Sequence, residues 1–160
     1  MTMYYREYDS PVGKLLLTGD GKALTGLWMN REPPTGAVEA NNPVLRQAER
    51  WLDGYFRGEG TMPDFPVAPE GTAFQKQVWE FLLTIPFGEI RSYGEIGAEV
   101  ARRMGRQKMS PQAIGGAVGR NPISIIIPCH RVIGAKGQLV GYAGGLDKKK
   151  WLLRHEGADI

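Results

Sequence analysis

Hydrophobic and polar positions change their spacing along this chain near residue 70. Between residues 4 and 29 the apolar residues fall in short strand-like runs, Leu15-Leu16-Leu17 and Leu24-Thr25-Gly26-Leu27-Trp28, split by Gly19-Asp20-Gly21-Lys22. Short apolar runs on either side of a Gly/Asp turn predict a β-hairpin. From Pro43 to Arg57, Leu45, Ala48, Leu52 and Phe56 recur at helical spacing, which predicts an amphipathic helix. Pro63, Pro66 and Pro69 then punctuate the chain as a linker does.

Past that point the pattern is mostly helical. Thr72 can cap a helix with Phe74, Val78, Trp79, Leu82 and Leu83 on its apolar side. Ser92, with Glu95 three residues later, has the form of a capping box. Ser110-Pro111 puts serine at a cap and proline at the first helical position. Two short helices joined by a turn suggest a helix-turn-helix. In the second of them Ile114, Ala117 and Val118 form the apolar stripe, while Gln112, Gly115 and Gly119 fall on a nearly bare face. Each interior glycine costs about 1 kcal/mol against alanine. The bare face therefore needs a reason. Glycine admits two, tight helix packing or close approach of DNA. The expected fold class is α+β: a small α/β domain over residues 1–66, a linker over 67–71 and a mostly helical domain over 72–160.

The apolar run Ile125-Ile126-Ile127 reads as a short buried strand that stops at Pro128. Cys129 follows, the only cysteine in the chain, and beside it stands His130, one of two histidines. Two readings fit the thiol. A lone cysteine is often a buried apolar filler. Beside an imidazole it can instead be a nucleophile, because the imidazole can hold or accept the thiol proton. In a regular strand neighbouring side chains point to opposite faces, so the pair can cooperate only if the chain bends after Pro128. Gly141-Tyr142-Ala143-Gly144-Gly145 is a loop whose backbone can approach a ligand, or simply a turn. Trp151-Leu152-Leu153-Arg154-His155-Glu156-Gly157 reads as a helix end. Glu156 matters there as a partner that can orient an imidazole.

Composition narrows the setting. A chain of 160 residues with 42% hydrophobic content can bury a real core. No apolar run approaches the ~20 residues of a membrane span, and no basic-plus-apolar leader opens the sequence. One cysteine excludes an intrachain disulfide and fits a reducing, cytoplasmic setting. Cysteine and histidine are too scarce for a typical structural zinc site. Residues 1–70 hold seven Lys/Arg against ten Asp/Glu, a net −3, and residues 71–160 hold thirteen against seven, a net +6. That imbalance fits a polyanion partner for the second half, or plain solvation of a surface.

Five segments in order carry a resemblance. They are Phe87-Gly88-Glu89 with Ser92-Tyr93, Ile114-Gly115-Gly116-Ala117 with Asn121-Pro122, Pro128-Cys129-His130-Arg131-Val132, Gly141-Tyr142-Ala143-Gly144-Gly145 and Leu152-Leu153-Arg154-His155-Glu156-Gly157. Together they closely resemble the O6-alkylguanine-DNA alkyltransferases, or methylated-DNA–protein-cysteine methyltransferases, over residues 72–157. The resemblance implies a ribonuclease H-like N-terminal scaffold and a recognition helix that enters the minor groove. It implies stoichiometric transfer of an alkyl group from O6-alkylguanine in double-stranded DNA to Cys129. His130, Glu156, Tyr93 and Asn121 are then catalytic. Val132, Tyr142, Ala143 and Gly144 hold the base, and Arg131 ties the two domains together. Ser110, Gln112, Ala113, Gly115, Gly119 and Arg120 meet DNA. Arg102, Arg103, Arg106 and Lys108 reach phosphates or else form a solvated loop. It further implies a monomer that needs no cofactor and no metal.

Three departures from the family pattern stand out. Many relatives have an arginine where this chain has Gln112, and that arginine fills the gap left by a flipped base. Ala143 stands where some relatives have serine, although its N–H can still donate. The segment between Tyr93 and Gln112 is longer than in some members. Two alternatives for the function are an alkyltransferase-like lesion sensor, which lacks the cysteine, and a non-catalytic helix-turn-helix regulator.

Overall fold

Strand β1 (Tyr4–Ser10) turns at Ser10–Gly13 into β2 (Gly13–Gly19), and β2 turns again into β3 (Leu24–Met29). The computed structural model describes residues 2–160. At the first turn the Ser10 hydroxyl donates to the Gly13 carbonyl at 2.6 Å. At the second, the Asp20 carboxylate accepts the N–H groups of Lys22 and Ala23, and Gly21 takes φ +95°, a conformation that favours glycine. The sheet order is β3-β2-β1-β4, with β4 (Val38–Glu39) parallel to β1 and the other pairs antiparallel. Leu15, Leu16 and Leu17 are all buried. A strand covered on both faces loses the apolar–polar alternation, which explains the continuous run. Helix α1 (Pro43–Phe56), capped by Asn42, buries Leu45, Ala48 and Leu52. Each such leucine contributes about 1.5–3 kcal/mol. Part of the proline-punctuated segment extends this unit. Leu24 N–H donates to Pro66 O and Ala68 N–H to Leu24 O, at 2.9 and 2.8 Å.

The first unit runs to Glu70 and takes in Pro122–Ile126. The second comprises Gly71–Asn121 and Ile127–Ile160. In the second, α2 (Ala73–Leu82), α3 (Tyr93–Arg103) and α4 (Pro111–Gly119) pack on one another. Capping boxes at Thr72 and Ser92 and a serine cap at Ser110 start the three helices. The Trp79 indole N–H, fully buried, donates to Ala117 O at 2.8 Å and ties α2 to α4. Strand β5 (Arg91–Ser92) pairs in parallel with β6 (Val132–Ile133). That pairing sets the start of α3, with Tyr93, beside the segment that follows Cys129. Helix α5 (Leu146–His155) closes the unit.

The strand expected at Ile125-Ile126-Ile127 is not there. These residues form consecutive turns, with Ile125 at φ +69° and tight bonds from Ile126 N–H to Ser124 O and from Cys129 N–H to Ile127 O. All three isoleucines are nonetheless buried. Burial, not strand pairing, accounts for the apolar run. The short strand comes later, at Val132.

Candidate active site

Cys129 opens a single 3-10 turn, Cys129–Arg131, which supplies the bend after Pro128. The turn is wholly buried, with His130 at 0% and Cys129 at 8% exposure. His130 Nε2 lies 2.6 Å from Glu156 Oε2. Glu156 sits at the C-terminal cap of α5. Its carboxylate also accepts Arg131 Nε at 2.8 Å, Arg131 Nη2 at 3.0 Å and the Gly88 N–H at 3.2 Å. Burial works against ionising this carboxyl, but the bonds from His130 and Arg131 and the Arg131 charge outweigh it and hold Glu156 well below the usual carboxylate range. An ionised carboxylate only accepts. The His130 Nε2 must therefore carry the proton, which leaves Nδ1 as the free base nitrogen. Among the described residues no group bonds to Nδ1. Burial pushes the imidazole below its ordinary value, against the pull of Glu156, so it rests neutral.

The thiol is tuned from several sides. Burial raises the Cys129 titration, while the Asn121 amide, the Lys149 charge and the backbone N–H groups of Cys129 and His130 pull it down. Burial prevails, and the resting sulfur is a thiol that needs a base. Asn121 is itself buried and donates Nδ2–H to Ile127 O at 2.7 Å, which fixes the turn before the cysteine. The Tyr93 hydroxyl donates to Val140 O at 3.4 Å. Burial, then the nearby sulfur, raises the Tyr93 titration, so it stays a neutral donor. The Tyr142 ring stands edge-on to His130, with centroids 6.5 Å apart. A buried thiol, a neutral imidazole with one free nitrogen and an ionised carboxylate behind it are the groups that nucleophile, base and orienting partner require.

Residues 73–158 match the family model "6-O-methylguanine DNA methyltransferase, DNA binding domain", and residues 3–69 match its ribonuclease-like domain. A methylated-DNA–protein-cysteine methyltransferase of Methanosarcina acetivorans is 49% identical, covering 98% of this chain and 99% of the relative. One from Mycobacterium leprae is 46% identical over 96% and 92%. The chain belongs to the methylated-DNA–protein-cysteine methyltransferase family. Among solved members, the Mycobacterium tuberculosis OGT in complex with DNA superposes with a TM-score of 0.86 at 44% identity, covering 96% of this chain and 92% of that one. The M. tuberculosis O6-methylguanine methyltransferase scores 0.84 at 45% identity, over 98% and 93%.

The other expected positions of this methyltransferase-family chain fall in three groups. Val132 is buried on β6, and Ala143 and Gly144 form the turn of the 141–145 loop, closed by Gly145 N–H to Tyr142 O at 2.9 Å. On α4, Gln112, Gly119 and Arg120 are exposed and Ala113 and Gly115 half-buried. A Cβ added at Gly115 or Gly119 would meet nothing within 4 Å. Tight packing is thus not why those glycines are there. Ser110 accepts Ala113 N–H and bonds to Gln112 Oε1 at 3.0 Å. The basic residues divide. Arg102 and Arg103 pair with Glu99, and Arg103 also lies over the Phe81 ring. Arg106 and Lys108 are exposed.

The side-chain bonds of Arg131 lie within the second unit. Its guanidinium bonds Glu156 and the Ile85 carbonyl, both in the second unit, so it braces the carboxylate. The sequence reading also passed over Lys149, which is fully buried. A signal was available. Lys149, Leu152, Leu153 and Glu156 share the i, i+3, i+4, i+7 stripe of α5 that faces inward. The flanking Lys148 and Lys150 made the run look like a solvated surface.

Proposed function

We propose that this chain repairs DNA by direct reversal, moving the alkyl group of O6-alkylguanine onto Cys129 and being consumed in the act. The observation that carries the reading is the buried Cys129–His130–Glu156 arrangement, with His130 Nδ1 left as a base, in a chain of this family. The target atom cannot be reached inside the base stack, so the guanine is first extruded from the duplex. His130 Nδ1 then takes the thiol proton through a water, and Glu156 stabilises the imidazolium. The sulfur attacks the alkyl carbon in line. The S–C bond forms as the C–O6 bond breaks. The Tyr93 hydroxyl, still protonated, donates a hydrogen bond to N3 of the leaving guanine. Guanine ends neutral by taking up the thiol's proton, which the imidazolium returns through solvent. The carbonyls of Cys129 and Val132 accept the exocyclic amine, and the Ala143 N–H faces O6. Tyr142 and Gly144 complete the pocket wall.

Duplex DNA meets α4, whose open glycine face suits a narrow groove and contact that ignores sequence. Ser110, Ala113 and Arg120 line that contact, and Gln112 fills the gap in the stack. The protein acts as a monomer, without metal or cofactor, because the substrate supplies its own alkyl group. A reducing, cytoplasmic setting keeps the thiol free. Intact mass after mixing with a methylated oligonucleotide tests the whole reading. One methyl per molecule on the Cys129 peptide is expected, and none on Cys129→Ala. Repeated turnover, or a methyl elsewhere, would overturn it.

A further inference from the structure

Lys149 is a lysine with no exposed surface. Its Nζ donates to Val132 O at 2.6 Å, Val140 O at 2.8 Å and Gly141 O at 3.4 Å. The ammonium thus spends its three donors on carbonyls of two non-helical segments. Among the ion pairs of the described residues none includes it. A buried ammonium without a carboxylate is costly and persists only where something offsets it. The group able to become an anion beside it is Cys129, with which it interacts electrostatically.

We infer that Lys149 is a positioning residue for alkyl transfer: it clips the strand after Cys129 to the 140–145 loop and holds a fixed positive charge toward the reacting sulfur. This rests on the alkyl-transfer reading and extends it to a residue outside the Cys–His–Glu set. The clip acts on both walls of the pocket. Val132 lies three residues after the nucleophile, and Val140 and Gly141 lead into Tyr142 and Ala143. Val140 O also accepts the Tyr93 hydroxyl, so one carbonyl registers the lysine and the tyrosine together. The charge acts on the step itself. As the thiol proton leaves, the sulfur becomes an anion in a buried site, and an ammonium already in place stabilises it without reorganisation.

The titratable groups around Lys149 are Cys129 and His130 on the 3-10 turn and Tyr93 at the start of α3. Burial pushes Lys149 down to about 8, against the pull of Cys129. It is therefore mostly charged at neutral pH. Its charge in turn helps to lower the His130 titration.

Two measurements test the inference. The first is the pH profile of Cys129 alkylation by iodoacetamide in the full chain without DNA, compared with Lys149→Met and Lys149→Gln. The profile should move to higher pH by about one unit in both, a tenfold loss of thiolate. Single-turnover transfer to a methylated oligonucleotide should slow at least about tenfold while lesion binding falls less. Glutamine can still donate to carbonyls, so a purely structural lysine would leave the Lys149→Gln profile in place, and that result would overturn the inference. The second uses the wild-type chain and holds if the variants fail to fold. The Lys149 Nζ titration, followed by NMR on labelled lysine, should drop once Cys129 is S-methylated with methyl iodide, because the thioether cannot carry charge. An unchanged titration would sink the proposal. Neither the iodoacetamide nor the NMR arm depends on DNA. Absence of transfer in the wild type would refute the repair reading alone.

Discussion

His130 has two ring nitrogens with different tasks. Nε2 is committed to Glu156 at 2.6 Å, and Nδ1 has no partner among the described residues. The assignment follows from Glu156, which the bonds from His130 and Arg131 keep ionised, against burial, and hence an acceptor. Replacing His130 by alanine should slow single-turnover transfer by about 10²–10⁴-fold, the usual contribution of a positioned base. Lesion binding, read from isotherms with the same oligonucleotide, should change little. Equal loss of binding and rate would mean the imidazole only packs. The pH dependence has a defined sign. The base must be neutral, and burial lowers its titration from the ordinary 6.5. Transfer rate should therefore hold as pH falls through 6.5 and drop only below it. An early decline, centred at or above 6.5, would contradict the buried neutral imidazole.

Helix α4 shows how an element can be stable and yet leave one side bare. Ile114, Ala117 and Val118 are buried, and Trp79 donates to the Ala117 carbonyl. Those contacts anchor one stripe and leave Gly115 and Gly119 facing open space, where a methyl group would touch nothing. Alanine at either position should leave the chain as stable as before or raise its stability by up to about 1 kcal/mol, from helix propensity alone. Duplex binding should weaken nonetheless, because the added methyl stands where the DNA backbone or groove wall would lie. Thermal melts and binding isotherms on the same variants separate the two effects. Unchanged binding would release α4 from its proposed role. The helix starts were written plainly in the sequence, since a serine or threonine cap and its partner three residues later act locally. Thr72 with Gln75 and Ser92 with Glu95 form those boxes here. The isoleucine run is turn and not strand, and its pattern alone does not tell the two apart, because burial and strand formation leave the same apolar trace over three residues.

For the molecule as a whole, charge divides between its two units. The first, with residues 122–126 adding none, carries −3 and the second +6. A basic unit that meets a polyanion should show binding that falls with salt. Arg106→Ala should reduce the slope of log affinity against log salt by about one unit on every sequence alike. Arg102→Ala should reduce it less, because that guanidinium is already shared with Glu99. A salt series on matched duplexes checks both, and equal slopes for wild type and Arg106→Ala would remove the phosphate contact. By itself the sequence determined the α+β class, the helix caps, the β2–β3 hairpin and the adjacency of the one cysteine to a histidine. All of these rest on local chemistry or on periodicity within one element. Only the tertiary structure decided which nitrogen of His130 is free, that Arg131 braces Glu156, and that Lys149 lies buried against the carbonyl of Val132. These depend on groups 17 to 46 residues apart in the chain. Their side chains meet because β5 pairs with β6 and α5 folds back over the turn, and no spacing within a single element records that.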